Sequence, residues 1–125
     1  MSKPLGPYTP VVRAGDFLIT SGQLGQLDGK LVEGGIVAET KLAMENLKTV
    51  LEGEGASLSD IVKTTVFLAD IEDWPKMNEP YLEALGDHRP ARSAFAVAAL
   101  PLNARVEIEA WAYSPSTLGG GLQSS

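Results

Sequence analysis

The sequence predicts an α+β fold in which two helices pack on one face of a mixed β-sheet, in the order ββαβαββ. Two observations predict it. Residues 37–52 and 74–85 carry apolar side chains at helical spacing. Shorter segments rich in β-branched or apolar residues precede, separate and follow these helices, at 11–13, 17–20, 61–68, 92–98 and 106–113.

The chain length of 125 residues suits one domain, which we place at residues 1–113. Residues 114–125 are mostly Ser, Gly and Leu, and they offer too little apolar surface to fold alone. We therefore predict that residues 114–125 form a flexible C-terminal tail.

The first two strands are predicted to form a β-hairpin, because Ala14-Gly15-Asp16 between them is a turn signal. Ser21-Gly22-Gln23 then ends the second strand. Residues 24–35 are predicted to be a loop or small turn, since they contain Asp28-Gly29 and Gly34-Gly35.

The first helix is expected to end at Gly53, and the alternating strand after it, residues 61–68, is expected to be central. Asp73 is the predicted N-cap of the second helix and Gly86 its stop. Pro80 lies inside this helix and is expected to kink it.

Composition excludes several classes of function. The chain has no cysteine, so disulfides, a thiol nucleophile and thiolate metal sites are excluded, and a single histidine argues against a metal site. The net charge of −6, without a Lys/Arg cluster, disfavours nucleic acid as a partner. The sequence shows neither a secretion signal nor an apolar run long enough for a membrane span, so we expect a cytoplasmic protein.

Arg92 is the first candidate for chemistry, because it is the one charged residue of an otherwise apolar strand. Its planar guanidinium suits bidentate binding of a small anion. An ion pair with an internal Asp or Glu is an equally open alternative.

Glu107 is the second candidate. Alternation places it on one strand face with Glu109, Trp111 and Tyr113, and a face with such rings needs a packing partner, which we expect to be another copy of the chain. If the last two strands form a hairpin with Ala99 opposite Arg105, Glu107 lies about 16 Å along the strand from Arg92. A site using both residues is then expected between subunits.

The other polar candidates have weaker signals. Tyr8 is as readily a core ring as a site residue, and Asn78 is most simply a solvated helix residue. Ser21, Gly22 and Gln23 offer a close approach and backbone donors, although ordinary strand ends have the same composition. His88 is expected at the surface, because no nucleophile or acid at a recognisable spacing supports a triad.

Five blocks in order make the chain resemble the RidA/YjgF family: Gly6-Pro7-Tyr8, residues 19–23, residues 60–68, Pro90-Ala91-Arg92-Ser93 and residues 106–110. The resemblance runs from about Leu5 to Ala112. It implies a chorismate-mutase-like fold and a homotrimer whose sheets face inward, with clefts between subunits. It also implies hydrolysis of 2-imino acids to 2-oxo acids and ammonia, without a cofactor.

Carried over by position, the resemblance assigns the carboxylate-binding arginine to Arg92 and the water-associated acid to Glu107. It assigns the rest of the pocket to residues at four places along the chain: Tyr8, Ser21-Gly22-Gln23, Asn78 and Ala94. Ala94 stands where a cysteine is frequent, so only its backbone N–H can assist binding. The loop 86–89 is shorter than in many members, and this departure bears on the pocket entrance and on substrate size.

Two other functions remain open. A trimer that binds 2-oxo acids or other small carboxylates without catalysis would use the same arginine. An endoribonuclease or translation inhibitor is also associated with the family, and the acidic charge balance argues against it.

Overall fold

The computed structural model describes residues 6–116. Two helices, α1 (Gly35–Glu52) and α2 (Trp74–Leu85), lie among eight strands in the described chain. The strands are β1 (Val11–Ala14), β2 (Phe17–Thr20), β3 (Gln23–Leu24), β4 (Gln26–Leu27), β5 (Lys30–Leu31), β6 (Ile61–Leu68), β7 (Ala91–Ala96) and β8 (Val106–Tyr113). Short 3₁₀ turns precede β6, α2 and β8.

The main sheet has the order β1-β2-β8-β6-β7, and β3 pairs with β8 beside it. β6 runs parallel to β7, whereas the other pairs are antiparallel, so the predicted mixed sheet is confirmed. The hairpin of β1 and β2 and the central place of β6 are confirmed as well.

The hairpin that the register argument assumed for the last two strands does not form. Leu68, the last residue of β6, pairs with Ala96 of β7 on one side and Val106 of β8 on the other. The segment between β7 and β8 therefore crosses over the end of β6, through a turn in which Leu102 and Asn103 have φ of 60° and 56°. The assumed register of Ala99 with Arg105 does not exist, and Glu107 instead lies opposite Phe67, which lies opposite Phe95.

Smaller differences concern the loops and caps. Residues 24–35 contain a small hairpin of β4 and β5, turning at Asp28 and Gly29, both of which have positive φ. Asp73 is the N-cap residue of α2, but its side chain makes no capping hydrogen bond and lies 3.9 Å from Arg105 Nη1. α2 continues through the buried Pro80 as one helix.

The core lies between the two helices and one face of the sheet. It combines Met44, Leu47 and Leu51 of α1 with inward residues of the strands, such as Val66 and Ile108. On the opposite, open face Trp111 is 42% and Tyr113 48% exposed, with both rings in edge contact with Phe17. As predicted, β8 therefore has one face buried in the core and one open face that carries exposed aromatic rings.

Most of the predicted tail lies outside the described residues. Ser114 is hydrogen-bonded through both backbone groups, its N–H to Asp16 O and its carbonyl to Arg13 Nη1, each at 2.7 Å. Within residues 6–116, neither helix is long and apolar enough to cross a membrane.

Candidate functional site

Arg92 is held by one face of α2. Its Nη1 donates to Asn78 Oδ1 at 2.7 Å, and its guanidinium carbon lies 5.4 Å from the Trp74 ring centroid and 4.9 Å from that of Tyr81. Trp74, Asn78 and Tyr81 share this face because they are spaced at i, i+4 and i+7. The Arg92 side chain is half-buried, so its remaining N–H donors are only partly accessible to water.

The alternative that Arg92 pairs with an internal carboxylate is not observed. In the described part of the chain the ion pairs belong to Arg105, with Glu39 at 4.0 Å and Asp73 at 3.9 Å. The polar side-chain partner of Arg92 is instead the neutral amide of Asn78. Its positive charge therefore remains available for an anionic ligand.

Glu107 lies on the open face of β8, against the strand end that contains Gly22. A Cβ atom built on Gly22 would lie 2.7 Å from the carboxyl carbon of Glu107, so the glycine permits the carboxylate to lie there. Burial raises the pKa of the Glu107 carboxyl, and the neighbouring Glu109 carboxylate raises it further. A carboxyl group with a raised pKa can accept and return a proton closer to neutral pH.

We expect Gly22→Ala to lower kcat by about 10-fold or more, because the added methyl group displaces the Glu107 carboxylate from its position. The measurement is steady-state hydrolysis of a 2-imino acid, the reaction that the resemblance to the RidA/YjgF family implies. Gly53→Ala is the matched control, since Gly53 has φ of −62° and a Cβ there would approach no other atom closer than 3.5 Å. Equal kcat in Gly22→Ala and wild type would contradict this role for Gly22.

Arg92 and Glu107 lie on opposite faces of the sheet within one chain. Residues paired across neighbouring strands share a face, and Arg92 pairs with Thr64, whose buried hydroxyl bonds to Tyr81 of α2 at 2.6 Å. Glu107 pairs with Phe67 on the open face. Arg92 and Glu107 are therefore separated within one chain, as predicted. The cause is their position on opposite faces of the sheet and not the register of a hairpin.

The other candidates divide between these two places. Ser21 Oγ donates to Thr9 O at 2.6 Å, which fixes the segment carrying Tyr8 beside the strand end of Ser21, Gly22 and Gln23. Of these residues, Gly22 directly approaches the side chain of Glu107. Ala94 follows Arg92 on the same face of β7, packed against the core, and Asn78 bonds Arg92 directly, so its interpretation as a simply solvated residue is wrong.

His88 has a structural partner. Its Nε2–H donates to Ile61 O at 2.6 Å, at the start of β6. Among the described residues no group of three or more His, Cys, Asp or Glu side chains is arranged to hold a metal ion.

Sequence reasoning missed Trp74 and the aromatic role of Tyr81. Tyr81 belongs to the apolar face of the helix predicted at residues 74–85, and it is 3% exposed. The helical spacing of Trp74, Asn78 and Tyr81 was a usable signal, because two rings and an amide on one stripe differ from an aliphatic core stripe.

Comparison with known proteins agrees with the fold and with the resemblance. The family model described as Endoribonuclease L-PSP matches residues 1–114. A RutC family protein of Pyrococcus horikoshii is 45% identical over 113 residues, covering 89% of this chain and 90% of its own. The human 2-iminobutanoate/2-iminopropanoate deaminase is 43% identical over 108 residues, covering 85% of this chain and 79% of its own.

Solved structures give the same result. RidA from the Antarctic bacterium Psychrobacter sp. superposes with a TM-score of 0.85 at 38% identity, covering 90% of this chain and 92% of its own. Escherichia coli TdcF, solved with bound serine, superposes with a TM-score of 0.84 at 34% identity, covering 90% of this chain and 91% of its own. Sequence blocks, fold and relatives agree, and the chain belongs to the RidA/YjgF family.

Proposed function

We propose that the protein hydrolyses 2-imino acids, and their enamine tautomers, to 2-oxo acids and ammonia. The observation that carries the proposal is the half-buried guanidinium of Arg92, which is held by the neutral Asn78 and by two rings and has no carboxylate partner in the described chain. Such a group suits the carboxylate of a small acid. The 43% identity to the human 2-iminobutanoate/2-iminopropanoate deaminase supports the imine as substrate.

Arg92 would hold the substrate carboxylate in the plane of its guanidinium and thereby orient the imine carbon. Glu107 accepts a proton as the water oxygen bonds to that carbon, and the C=N electrons move to the nitrogen. Glu107 returns its proton to that nitrogen, and the hydroxyl proton follows by the same route, so the nitrogen becomes an ammonium leaving group. The C–N bond then breaks, ammonia leaves with the electron pair, and the remaining oxygen forms the carbonyl. Because imines hydrolyse readily, one positioning cation and one acid–base group suffice, and no cofactor is needed.

The site is proposed to form between subunits of a homotrimer. Arg92 lies on the helix face of β7, an edge strand, and Glu107 lies on the open face of β8, so one ligand reaches both only if the two come from different copies. The exposed rings of Trp111 and Tyr113 give the open face an apolar surface for such a contact. A ring of three copies would repeat this arrangement three times.

The direct test is release of ammonia and 2-oxo acid from 2-iminopropanoate and 2-iminobutanoate, generated in situ by an amino-acid oxidase. We expect the wild-type protein to accelerate release well above the spontaneous rate at catalytic concentration. Release at the spontaneous rate for both imines would contradict the proposed activity.

Mixed trimers test the location of the site. When Arg92→Ala and Glu107→Gln chains, each inactive alone, are dissociated and reassembled together, we expect activity in about one quarter of the sites, because each such site takes its arginine and its glutamate from different chains. Hydrolysis is measured before and after mixing, with each variant reassembled alone as the control. No recovery of activity on mixing would contradict a shared site.

A binding protein for small carboxylates is the second candidate, since the Arg92 clamp by itself explains ligand capture. The two functions differ in what they require of Glu107, which is needed for proton transfer and not for holding a 2-oxo acid. The description of the family model names a ribonuclease, but a net charge of −6 disfavours binding to a phosphate backbone.

A further inference from the structure

The guanidinium of Arg92 lies over two aromatic rings. Trp74 and Tyr81 are seven residues apart on α2, which separates them by about 10.5 Å along the helix axis. The guanidinium carbon is 5.4 Å from one ring centroid and 4.9 Å from the other. The guanidinium therefore contacts rings from two turns of the helix, and the amide of Asn78 at the intermediate turn bonds its Nη1.

This arrangement holds the arginine side chain without neutralising its positive charge. Rings attract a cation through their faces without neutralising it, and Asn78 occupies Nη1 with a neutral oxygen. The other N–H donors of the guanidinium lie in its plane, and two neighbouring donors there have the geometry that a carboxylate binds with two hydrogen bonds.

The Tyr81 ring is itself fixed from behind. It is 3% exposed, and its hydroxyl shares a 2.6 Å hydrogen bond with the hydroxyl of Thr64, which is fully buried in the central strand β6. Thr64 is also the residue that pairs with Arg92 in the sheet. Thr64 therefore positions the backbone of Arg92 through sheet pairing and the Tyr81 ring through the hydroxyl hydrogen bond.

We propose that Trp74 and Tyr81 are positioning residues, which orient the Arg92 guanidinium through cation–π contact so that uncompensated N–H donors bind the ligand carboxylate. The proposal deepens the proposed function, because it rests on Arg92 as the carboxylate clamp. It predicts that an aromatic ring at each position matters more than the particular residue.

The test compares ring-retaining with ring-deleting variants of the full-length protein. Trp74→Phe keeps a ring and Trp74→Leu removes it. For Tyr81, the double variant Thr64→Val/Tyr81→Phe removes both members of the buried hydroxyl pair and keeps the ring, whereas Thr64→Val/Tyr81→Leu removes the ring as well. The dissociation constant of 2-oxobutanoate is measured by titration calorimetry, and KM and kcat are measured with 2-iminobutanoate.

We expect each leucine variant to raise the dissociation constant and KM by about 5- to 30-fold relative to its phenylalanine counterpart, with kcat changed less than about 3-fold. The spectroscopic readout is the Nε–H resonance of Arg92, identified by its disappearance in Arg92→Lys. It should be shifted by ring currents in the wild type and should move toward the ordinary arginine position in Trp74→Leu. If Trp74 only stabilised the fold, Trp74→Leu would not change the Arg92 Nε–H resonance and the dissociation constant together.

Asn78→Asp is a further arm, nearly identical in shape. A carboxylate at this position neutralises the guanidinium, so we expect weaker binding of 2-oxobutanoate, by about 10-fold or more. Unchanged affinity in this variant would show that the uncompensated charge is not what binds the ligand.

The outcomes separate this inference from the proposed function. Binding of 2-oxobutanoate that weakens in the leucine variants, without imine hydrolysis by the wild type, supports the ring clamp and contradicts the deaminase. Equal affinity of the leucine and phenylalanine variants overturns the ring clamp while leaving hydrolysis to stand. Absence of 2-oxobutanoate binding by the wild type overturns the ring clamp itself.

Discussion

Replacing Arg92 with alanine is expected to abolish both hydrolysis of 2-imino acids and binding of 2-oxo acids. Two charge-assisted hydrogen bonds to the substrate carboxylate, worth about 1.5–3 kcal/mol each, are lost together. This corresponds to a fall of about 10²–10⁴ in kcat/KM. Steady-state kinetics with 2-iminobutanoate and calorimetric titration with 2-oxobutanoate measure the two effects separately.

Arg89→Ala is the matched control, because the exposed Arg89 donates to the carbonyls of Gly86 and His88 at the end of α2 and does not contact Arg92. We expect this variant to keep activity within about 2-fold, as is usual for surface substitutions. Arg92→Lys keeps the charge without the planar fork and should fall between wild type and alanine. Full activity of Arg92→Ala would exclude the clamp.

Replacing Glu107 with glutamine is expected to lower kcat by about 10²–10⁴, because the amide cannot accept a proton from the attacking water. Affinity for 2-oxobutanoate should stay within about 3-fold of wild type, since that ligand requires the clamp and no proton transfer. Retained hydrolysis with intact binding would exclude Glu107 as the acid–base group. Loss of binding together with activity would assign Glu107 to ligand binding instead.

The same substitution is expected to stabilise the protein at neutral pH. Folding raises the pKa of the Glu107 carboxyl, so between the unfolded and folded pKa values the folded state binds more protons. The free energy of unfolding therefore falls as pH rises through that window, and the loss persists at higher pH. In thermal unfolding, the stability of Glu107→Gln relative to wild type should increase as pH rises from about 3.5 to about 7.

Glu109→Gln provides the electrostatic control. The Glu109 carboxylate helps to raise the pKa of Glu107, so its removal should lower that pKa and move the acidic limb of the kcat profile to lower pH. The maximal kcat should stay close to wild type. An acidic limb that does not move would show that the titration of Glu107 does not set the pH dependence of kcat.

Much of the fold follows from local pattern. The β1–β2 hairpin turns at Gly15, whose φ of 62° suits glycine, and the alternation of β6 and β8 gives their bounds, Ile61–Leu68 and Val106–Tyr113. Local pattern does not give strand order. β7 and β8 are neighbours in sequence and separated by β6 in space, because α2 makes β7 a parallel partner of β6 on the outer edge.

For the candidate site, residue type and alternation are enough to show which chemical groups are present: a lone guanidinium in an apolar strand, a carboxylate on a strand with an aromatic outer face, and no thiol. These follow from residue type and from the two-residue period of a strand. The contacts of Arg92 with Asn78, Trp74 and Tyr81, and the position of Glu107 on the opposite face of the sheet, follow only from the folded chain. The physical reason is that charge compensation and burial depend on contacts between elements distant in sequence, which the packing of α2 on β6 and β7 creates.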